Sequence, residues 1–294
     1  MSVDVGTLGV WSGELRFLRD RGAAREAASA VDELGYGAIW LPGSTAGKGQ
    51  PIYEIVGEIL DATHTTTVAT GIVSIWAETA EATAAAQVQL RERHPGRFLL
   101  GLGSSHVQLV SEEEKELLRK PRTAMIRYLD AIDAAQDADT SGERILAALG
   151  PKMLELARDR ALGSHPYFVT PAHTAVAREA LGPDALLAPE QAVVLETDPD
   201  KARAIGRKFM SVYLGLPNYT NNLLRHGFDE SDLLDGGSDR LVDAVAAWGD
   251  EAAIAARVAE HRAAGADHVA LQVLHDHPGT PPLDEWRRIA AALL

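Results

Sequence analysis

Side chains that could take part in chemistry stand just after short apolar runs of the sequence. Trp11 and Trp76 follow two of these runs, and His106 and His275 follow two others. A histidine with a pKa of about 6.5 can donate or accept a proton at neutral pH, and tryptophan rings can wall an apolar ligand. These residue types predict a proton-transfer group beside an apolar substrate pocket.

A glycine turn opens directly into a helical pattern at Gly150, Pro151, Lys152 and Met153. The N–H groups of a first helical turn lack intrahelical partners, and the positive end of the helix dipole attracts anions. Lys152 adds a charge of the same sign. This pattern favours a phosphate-binding site. The alternative is that Pro151 only begins a helix and that Lys152 is a solvated surface charge.

Several other chemistries have little support in the residue pattern. The chain has no cysteine, which removes thiolate nucleophiles, disulfides and thiolate metal sites. His275 and His277 have no third ligand at a recognisable spacing, so we expect no metal site. The run from Gly103 to His106 lacks the closing glycine of a hydrolase nucleophile elbow. The Gly101-Leu102-Gly103 turn lacks the third glycine of a dinucleotide loop.

The hydrophobic pattern predicts the elements that must position these residues. Amphipathic segments at 21–34, 80–93 and 251–264 separate short apolar runs, so strands alternate with helices. Parallel neighbours need such crossovers, and eight units favour a closed α/β (βα)8 TIM barrel over an open doubly wound sheet. The eight predicted strands cover residues 8–11, 38–41, 68–73, 98–102, 145–149, 166–169, 192–195 and 268–273.

One barrel of about 250 residues would use most of this chain of 294 residues, so we expect a single domain over 1–294. The stretch at about 206–247 is too long for one strand and helix. It predicts a helical insertion before the last strand. Barrel active sites lie on the loops that follow the strands, which places the candidate residues at one end of the molecule.

The charge balance limits the possible partners. The net charge is -14, with 28 Lys and Arg against 42 Asp and Glu. We therefore expect no nucleic-acid partner, because the chain lacks the basic surface that phosphate backbones require. No apolar run reaches the roughly 18 residues of a membrane span, and residues 1–4 do not begin a signal peptide. A soluble cytoplasmic protein is the expectation.

Five stretches of the chain carry a family resemblance, which extends over nearly its whole length. The most specific is Gly96-Arg97-Phe98 followed by Gly101 and Gly103. The other stretches are residues 33–40, 69–73, 248–250 and 263–269. Together they resemble the bacterial luciferase-like flavin or deazaflavin oxidoreductases, which are (βα)8 barrels. The chain resembles most closely the actinobacterial branch that uses the deazaflavin coenzyme F420.

The resemblance implies roles for particular residues. In the family, strand three ends in a bulge whose non-prolyl cis peptide backs the cofactor ring, and the matching residues are Gly71 and Ile72. The phosphate of the cofactor tail lies near the loop after strand five. The implied cofactor-binding residues are Gly71, Ile72, Ser104, Gly150, Pro151, Lys152 and Met153. His106 stands where relatives carry a carboxylic acid, and so becomes the candidate proton donor. Trp11, Trp76 and His275 become the candidate substrate walls.

The resemblance implies a function and leaves two alternatives open. It implies an F420-dependent oxidoreductase that transfers a hydride between the deazaflavin and a small organic substrate, in a homodimer. An FMN-dependent monooxygenase on the same fold is the first alternative. The histidine that many deazaflavin-dependent members carry after strand two is missing at Pro42, Gly43 and Ser44. This departure keeps a second alternative open, a catalytically degenerate flavin-binding or interaction protein.

Overall fold

The computed structural model describes residues 3–43, 51–104, 120–136, 139–277 and 279–294. Within these ranges all paired strands run parallel in one sheet. The strands are β1 (Leu8–Trp11), β2 (Ala38–Leu41), β3 (Thr67–Thr70), β4 (Val73–Ser74), β5 (Phe98–Gly103), β6 (Arg144–Leu146), β7 (Gly163–Ser164), β8 (Leu186–Leu187), β9 (Glu190–Val194), β10 (Ala246–Trp248) and β11 (Val269–Val273).

Helices connect these strands, and several begin at residues suited to a first turn. Asp20 and Asp250 each accept a backbone N–H at a helix start, and five helices begin with proline, which has no N–H to leave unpaired. The helices are α1 (Gly13–Phe17), α2 (Arg21–Glu33), α3 (Ile52–Ala62), α4 (Ala80–Arg93), α5 (Pro121–Ala134), α6 (Pro151–Arg160), α7 (Pro171–Leu181), α8 (Pro199–Tyr213), α9 (Pro217–Arg225), α10 (Asp239–Val245), α11 (Glu251–Ala263) and α12 (Leu283–Leu293).

The sheet closes on itself through β8 and β9. β8 pairs with β7, and β9 pairs with β11, which in turn pairs with β1. The two residues between β8 and β9 continue the pairing, since the Ala188 N–H donates to Ser164 O at 2.9 Å and the Ala270 N–H donates to Pro189 O at 2.9 Å. This ring confirms the predicted (βα)8 barrel. β10 pairs with β9 outside the ring.

The third predicted strand, 68–73, is interrupted. β3 pairs with β5 up to Ala69 and β4 resumes at Val73, while the Gly71–Ile72 peptide between them is cis. Thr70 Oγ1 donates to Gly101 O at 2.9 Å and accepts the Gly101 N–H at 2.7 Å. These bonds satisfy the backbone of β5 where the strand pairing stops. The cis peptide is where the family resemblance places it.

The prediction of a strand at residues 166–169 is wrong. The sixth barrel strand is β7, and residues 166–169 form a loop in which Pro166 has no N–H and Phe168 has a left-handed φ of 58°. The Phe168 N–H donates to the Glu190 carboxylate instead of to a neighbouring strand. The strand predicted at 145–149 ends at Leu146, and β8 and β10 were missed because they contain only two and three residues.

The predicted helical insertion is present between β9 and β10. Its helices begin at Pro199, earlier than the predicted boundary of 206, and the last of them ends just before β10. They enclose an aromatic cluster that packs over one side of the barrel. This cluster contains Phe168, Phe209, Tyr213, Tyr219 and Phe228. Of the helices in the described ranges, none is long and apolar enough to cross a membrane.

Candidate cofactor and substrate site

A cavity of about 240 Å³ lies at the carboxyl ends of the barrel strands. The bulge after β3, the end of β5 and the loop after β6 contribute small or apolar residues, and α9 of the insertion closes one side. We call it the first cavity. Its lining residues are Ile72, Gly103, Ser104, Pro121, Ala147, Ala148, Leu149, Gly150, Met153, Tyr167, Asn218 and Tyr219.

Hydrogen bonds to β1, to β2 and to the residues just after β2 hold the bulge that forms one wall of the first cavity. The Gly71 N–H donates to Leu41 O at 2.7 Å, and the Gly43 N–H donates to Ile72 O at 3.2 Å. Trp11 Nε1 donates to Gly71 O at 3.2 Å. A Cβ at Gly103 would lie 2.4 Å from Ile72 Cδ1. The Ile72 side chain therefore occupies the space that only glycine at position 103 leaves open.

The first turn of α6 forms another edge of the first cavity. Gly150 precedes this turn and supplies no side-chain cap, and both Gly150 and Met153 line the cavity. Pro151 and Lys152 are exposed and do not line it. Arg122 Nε donates to Lys152 O at 3.3 Å, which brings a second cation beside this turn. The Met153 N–H donates to Gly150 O at 3.0 Å, so the positive end of the helix dipole and the two cations are the features that suit an anion.

A hydrogen-bonded wall separates the first cavity from a second one. Tyr167 lines the first cavity, and its hydroxyl donates to Gln272 Oε1 at 2.7 Å and lies 2.7 Å from the Tyr213 hydroxyl. The Trp11 ring centroid is 5.3 Å from that of Tyr167. Burial raises the pKa of Tyr213 to about 12 and that of Tyr167 well above 10. Both phenols therefore stay neutral at neutral pH.

The second cavity, of about 300 Å³, contains the predicted residue His275. His275 Nε2 lies 3.7 Å from Glu14 Oε1, and Ser12 Oγ donates to Glu14 Oε2 at 2.9 Å. Lys208 and Gln272 also line this cavity. His275 is thus on the far side of the tyrosine wall from Ile72, in a polar cavity that contains charges of both signs.

The structure brings together four of the predicted cofactor residues and separates the predicted substrate walls. Ile72, Ser104, Gly150 and Met153 line the first cavity. Their positions agree with the prediction, while their role in binding stays a prediction. Trp76 Nε1 donates to Ser104 O at 2.8 Å from a half-buried position. Trp11 is buried beside Gly71 and does not line the first cavity. The predicted proton donor His106 lies outside the described residues.

Sequence reasoning missed several residues of the cavity wall. Tyr167 was assigned to a strand, and Asn218, which belongs to the first turn of α9, was not among the predicted site residues. The available signal was the proline directly before each of these two residues. Within the described ranges no group of three His, Asp or Glu residues could hold a metal ion.

A parallel (βα)8 barrel with a small-molecule cavity at the carboxyl ends of its strands defines a class of proteins that bind substrates or cofactors on their strand-end loops. Residues 9–268 match the family model described as luciferase-like monooxygenase. The chain therefore belongs to the luciferase-like monooxygenase family, a family of oxidoreductases. No curated protein matches the chain.

Solved structures share the fold at low sequence identity. An F420-dependent secondary alcohol dehydrogenase in complex with an F420-acetone adduct matches with a TM-score of 0.73 and 13% identity over 98% of both chains. The coenzyme F420-dependent tetrahydromethanopterin reductase of Methanopyrus kandleri matches with a TM-score of 0.72 and 15% identity, over 100% of this chain and 99% of that one. The oxygenating constituent of a 3,6-diketocamphane monooxygenase of Pseudomonas putida, in complex with FMN, has a TM-score of 0.64 and 14% identity, over 100% and 99%.

Proposed function

We propose that this protein is an F420-dependent oxidoreductase that transfers a hydride between the deazaflavin and a small organic substrate. One observation carries the proposal: a single cavity joins an apolar wall at Ile72 and Gly103 to the uncapped first turn of α6. A flat ring with a phosphate-bearing tail needs both features. The two F420-dependent neighbours have the higher TM-scores of the three described above, which also supports this cofactor.

The residues of the first cavity fit such a cofactor. Gly103 has no side chain, and a Cβ there would collide with Ile72, so the wall at this point consists of backbone and the Ile72 side chain. We assign the ring to this wall. We assign the phosphate to the first turn of α6 with Lys152, because backbone N–H groups and a nearby cation bind phosphate without a dedicated side-chain pocket.

The bound cofactor supplies the hydride chemistry. The protein orients the cofactor and the substrate, excludes water from the cavity and supplies a proton. Trp11 and Tyr219 are buried around the cavity and limit the access of water. Tyr167, held by Gln272 and Tyr213, presents a neutral phenol at the cavity wall. We assign to His106 the proton that accompanies hydride transfer, because an imidazole can exchange a proton at neutral pH.

Binding measurements with the two cofactors test the proposal. We expect fluorescence titration of the purified protein to give saturable binding of F420. Binding of FMN alone would overturn the choice of F420 and favour the FMN-dependent monooxygenase, which the family description and the FMN-bound neighbour support. Oxygen consumption with reduced FMN would then identify that activity. Binding of neither cofactor would favour the degenerate protein.

Replacement of His106 tests the proton assignment. We expect His106→Ala to lower turnover of F420 about a hundredfold or more while leaving the dissociation constant of F420 unchanged, because general acid catalysis contributes about that factor. His64→Ala is the control, since His64 is exposed at the opposite end of the barrel. The turnover substrate would come from a screen of alcohols and carbonyl compounds. Unchanged turnover in His106→Ala would reject the assignment.

The proposal also covers the domain organisation and the oligomeric state of the protein. We infer a single domain over residues 1–294 that acts as a homodimer and belongs to the F420-using actinobacterial branch, as the sequence resemblance implies. Light scattering after size exclusion measures the mass directly. A mass of 31.4 kDa, that of one chain, would reject the dimer.

A further inference from the structure

Glu190 is a carboxyl group in the interior of the barrel. It is the first residue of β9, and its side chain is only 1% exposed. Glu190 pairs with Ala270, which belongs to the interior apolar cluster, whereas the next residue, Gln191, bonds to Val245 O and His261 outside the ring. Successive side chains of a strand point to opposite faces, so Glu190 points inward. A charge at this place would be costly unless it were paired.

The contacts of Glu190 do not support a charge. Its Oε2 accepts the Phe168 N–H at 3.1 Å, and its Oε1 is buried with no hydrogen-bond partner among the described residues. In the part of the chain that the structure describes, no Lys, Arg or His forms an ion pair with it. Burial raises the pKa of Glu190 to about 8, and the Phe168 hydrogen bond only partly opposes this shift. The carboxyl group is therefore neutral at pH 7.

Glu190 is connected to the wall of the first cavity through the turn that it holds. Phe168 has a left-handed φ of 58°, and the preceding residue is the cavity residue Tyr167. The titratable groups that Glu190 affects are phenols from three elements: Tyr167 on the loop after β7, Tyr213 on α8 and Tyr219 on α9. Two of them line the first cavity, so a charge on Glu190 would lie close behind its wall.

We propose that Glu190 is a positioning residue of the cofactor site, which as a neutral acid holds the turn at Tyr167 and Phe168 against the barrel and keeps the wall free of charge. When Glu190 ionises, an unpaired negative charge appears behind the cavity and opposes an anionic ligand. This effect on F420 rests on the proposed function. The protonation of Glu190 and its bond to the turn do not depend on it.

Infrared titration of the protein without cofactor tests the protonation directly. We expect a carboxylic acid C=O band that persists at pH 7 and disappears as the pH passes about 8. Glu190→Gln should lack this band, because the amide has no such vibration. Glu179→Gln, on the exposed face of α7, should keep it. If the wild-type protein shows no such band at pH 7, or if Glu190→Gln retains it, the proposal is overturned.

Binding across the same pH range tests the positioning role. The dissociation constant of F420 should increase about fivefold between pH 6.5 and pH 9.5 in the wild-type protein, because an ionised Glu190 repels an anionic ligand across the cavity wall. Glu190→Gln should bind like the wild-type protein at pH 6.5 and show little change with pH, since its amide oxygen can still accept the Phe168 N–H. Equal pH dependence in both proteins would contradict the proposal, because a packing role alone does not depend on ionisation.

Thermal unfolding keeps the proposal testable if F420 does not bind. Glu190 has a higher pKa in the folded protein than in the unfolded chain, so its contribution to stability is complete below about pH 4.5 and declines as the pH rises to about 8. The Tm of the wild-type protein relative to Glu190→Gln should therefore fall between these pH values and then level off. A constant difference would overturn the proposal, and absence of F420 binding alone would reject only the proposed function.

Discussion

The two ends of the barrel treat polar groups in opposite ways. At the amino ends, Asp32 accepts hydrogen bonds from the backbone N–H groups of His64, Thr65 and Thr66 and from both threonine hydroxyls. Beside the loop at the carboxyl end of β7, the Glu190 carboxyl group accepts one hydrogen bond, from the Phe168 N–H, and its Oε1 has no partner among the described residues. The first end uses its polar groups to hold the fold, and the second retains groups that can respond to a ligand.

The same contrast holds for the cations. At the amino ends, Arg144 is 1% exposed and donates to Asp133 Oδ1 at 2.5 Å and to Arg160 O at 2.8 Å. At the carboxyl ends, Lys152 is exposed beside an uncapped helix turn. Removal of one partner from a buried charge pair destabilises a fold, whereas exposed donors remain available to bind an anion. Variants at each end can therefore separate loss of stability from loss of binding.

The largest effect is expected for Arg144→Met. We expect the free energy of unfolding in urea to fall by about 3 kcal/mol, since the change removes a buried guanidinium from its hydrogen-bonded partners. Arg158→Met, at an exposed position on α6, should change it by less than about 0.5 kcal/mol. F420 binding by the folded Arg144→Met protein should be unchanged. Reduced affinity in this variant would mean that the two ends are coupled.

The next effect is expected for Asp32→Asn. Burial acts to raise the pKa of Asp32, but hydrogen bonds from Thr66, His64 and Thr65 outweigh it and hold this pKa well below its usual range. A lowered pKa stabilises the fold above about pH 4, and this contribution is lost as the pH falls further. We expect a loss of about 2 kcal/mol at pH 7 that shrinks in acid. Glu33→Gln, exposed next to it, is the control, and a loss that does not depend on pH would contradict the hydrogen-bond explanation.

A smaller effect is expected at the carboxyl ends for Gly103→Ala. The added Cβ must displace the Ile72 side chain, whose Cδ1 lies 2.4 Å from its position. We expect the dissociation constant of F420 to rise about tenfold, equivalent to about 1.4 kcal/mol, with little change in unfolding. Gly142→Ala is a matched control, because a Cβ there meets nothing within 4 Å. Equal affinities for the two variants would remove Ile72 from the proposed ring site.

The smallest effect is expected for Lys152→Ala. Removal of one exposed cation beside the first turn of α6 should weaken F420 binding about fivefold at low salt, and high salt should reduce the difference. Arg158→Ala, at the opposite end of the same helix, should bind F420 like the wild-type protein. Titrations at two ionic strengths measure both effects. If the two variants have the same affinity, the phosphate does not bind at this turn.

The sequence predicted the strands and helices better than the loops that connect them. The apolar runs at β1, β2 and β5 begin at the predicted residues, because a buried strand between amphipathic helices is a local pattern. The prediction of a strand at 166–169 failed because the structure of this segment depends on a distant residue. Its apolar residues are buried in a loop, where the Phe168 N–H bonds to Glu190, and no local pattern distinguishes such a loop from a strand.

The residues of the candidate site also divide into those that the sequence predicted and those that it missed. Gly150 and Met153 were found because they follow a predicted strand, where a barrel collects its loops, and Ile72 and Ser104 were found through the family resemblance. Tyr167 and Tyr219 were missed because the insertion brings them together from different parts of the chain. His275 was placed at the correct end, but the wall formed by Tyr167 and Gln272 puts it in a separate cavity.

By itself the sequence determined the barrel, its acidic surface, the absence of thiol chemistry and the end at which ligands would bind. These properties depend on residue type and on spacing along the chain. Only the tertiary structure decided that Tyr167 bonds to Gln272 and that Glu190 faces inward with no ion-pair partner among the described residues. The physical reason is closure of the sheet, since a polar group gains or loses its partner according to which distant strand becomes its neighbour.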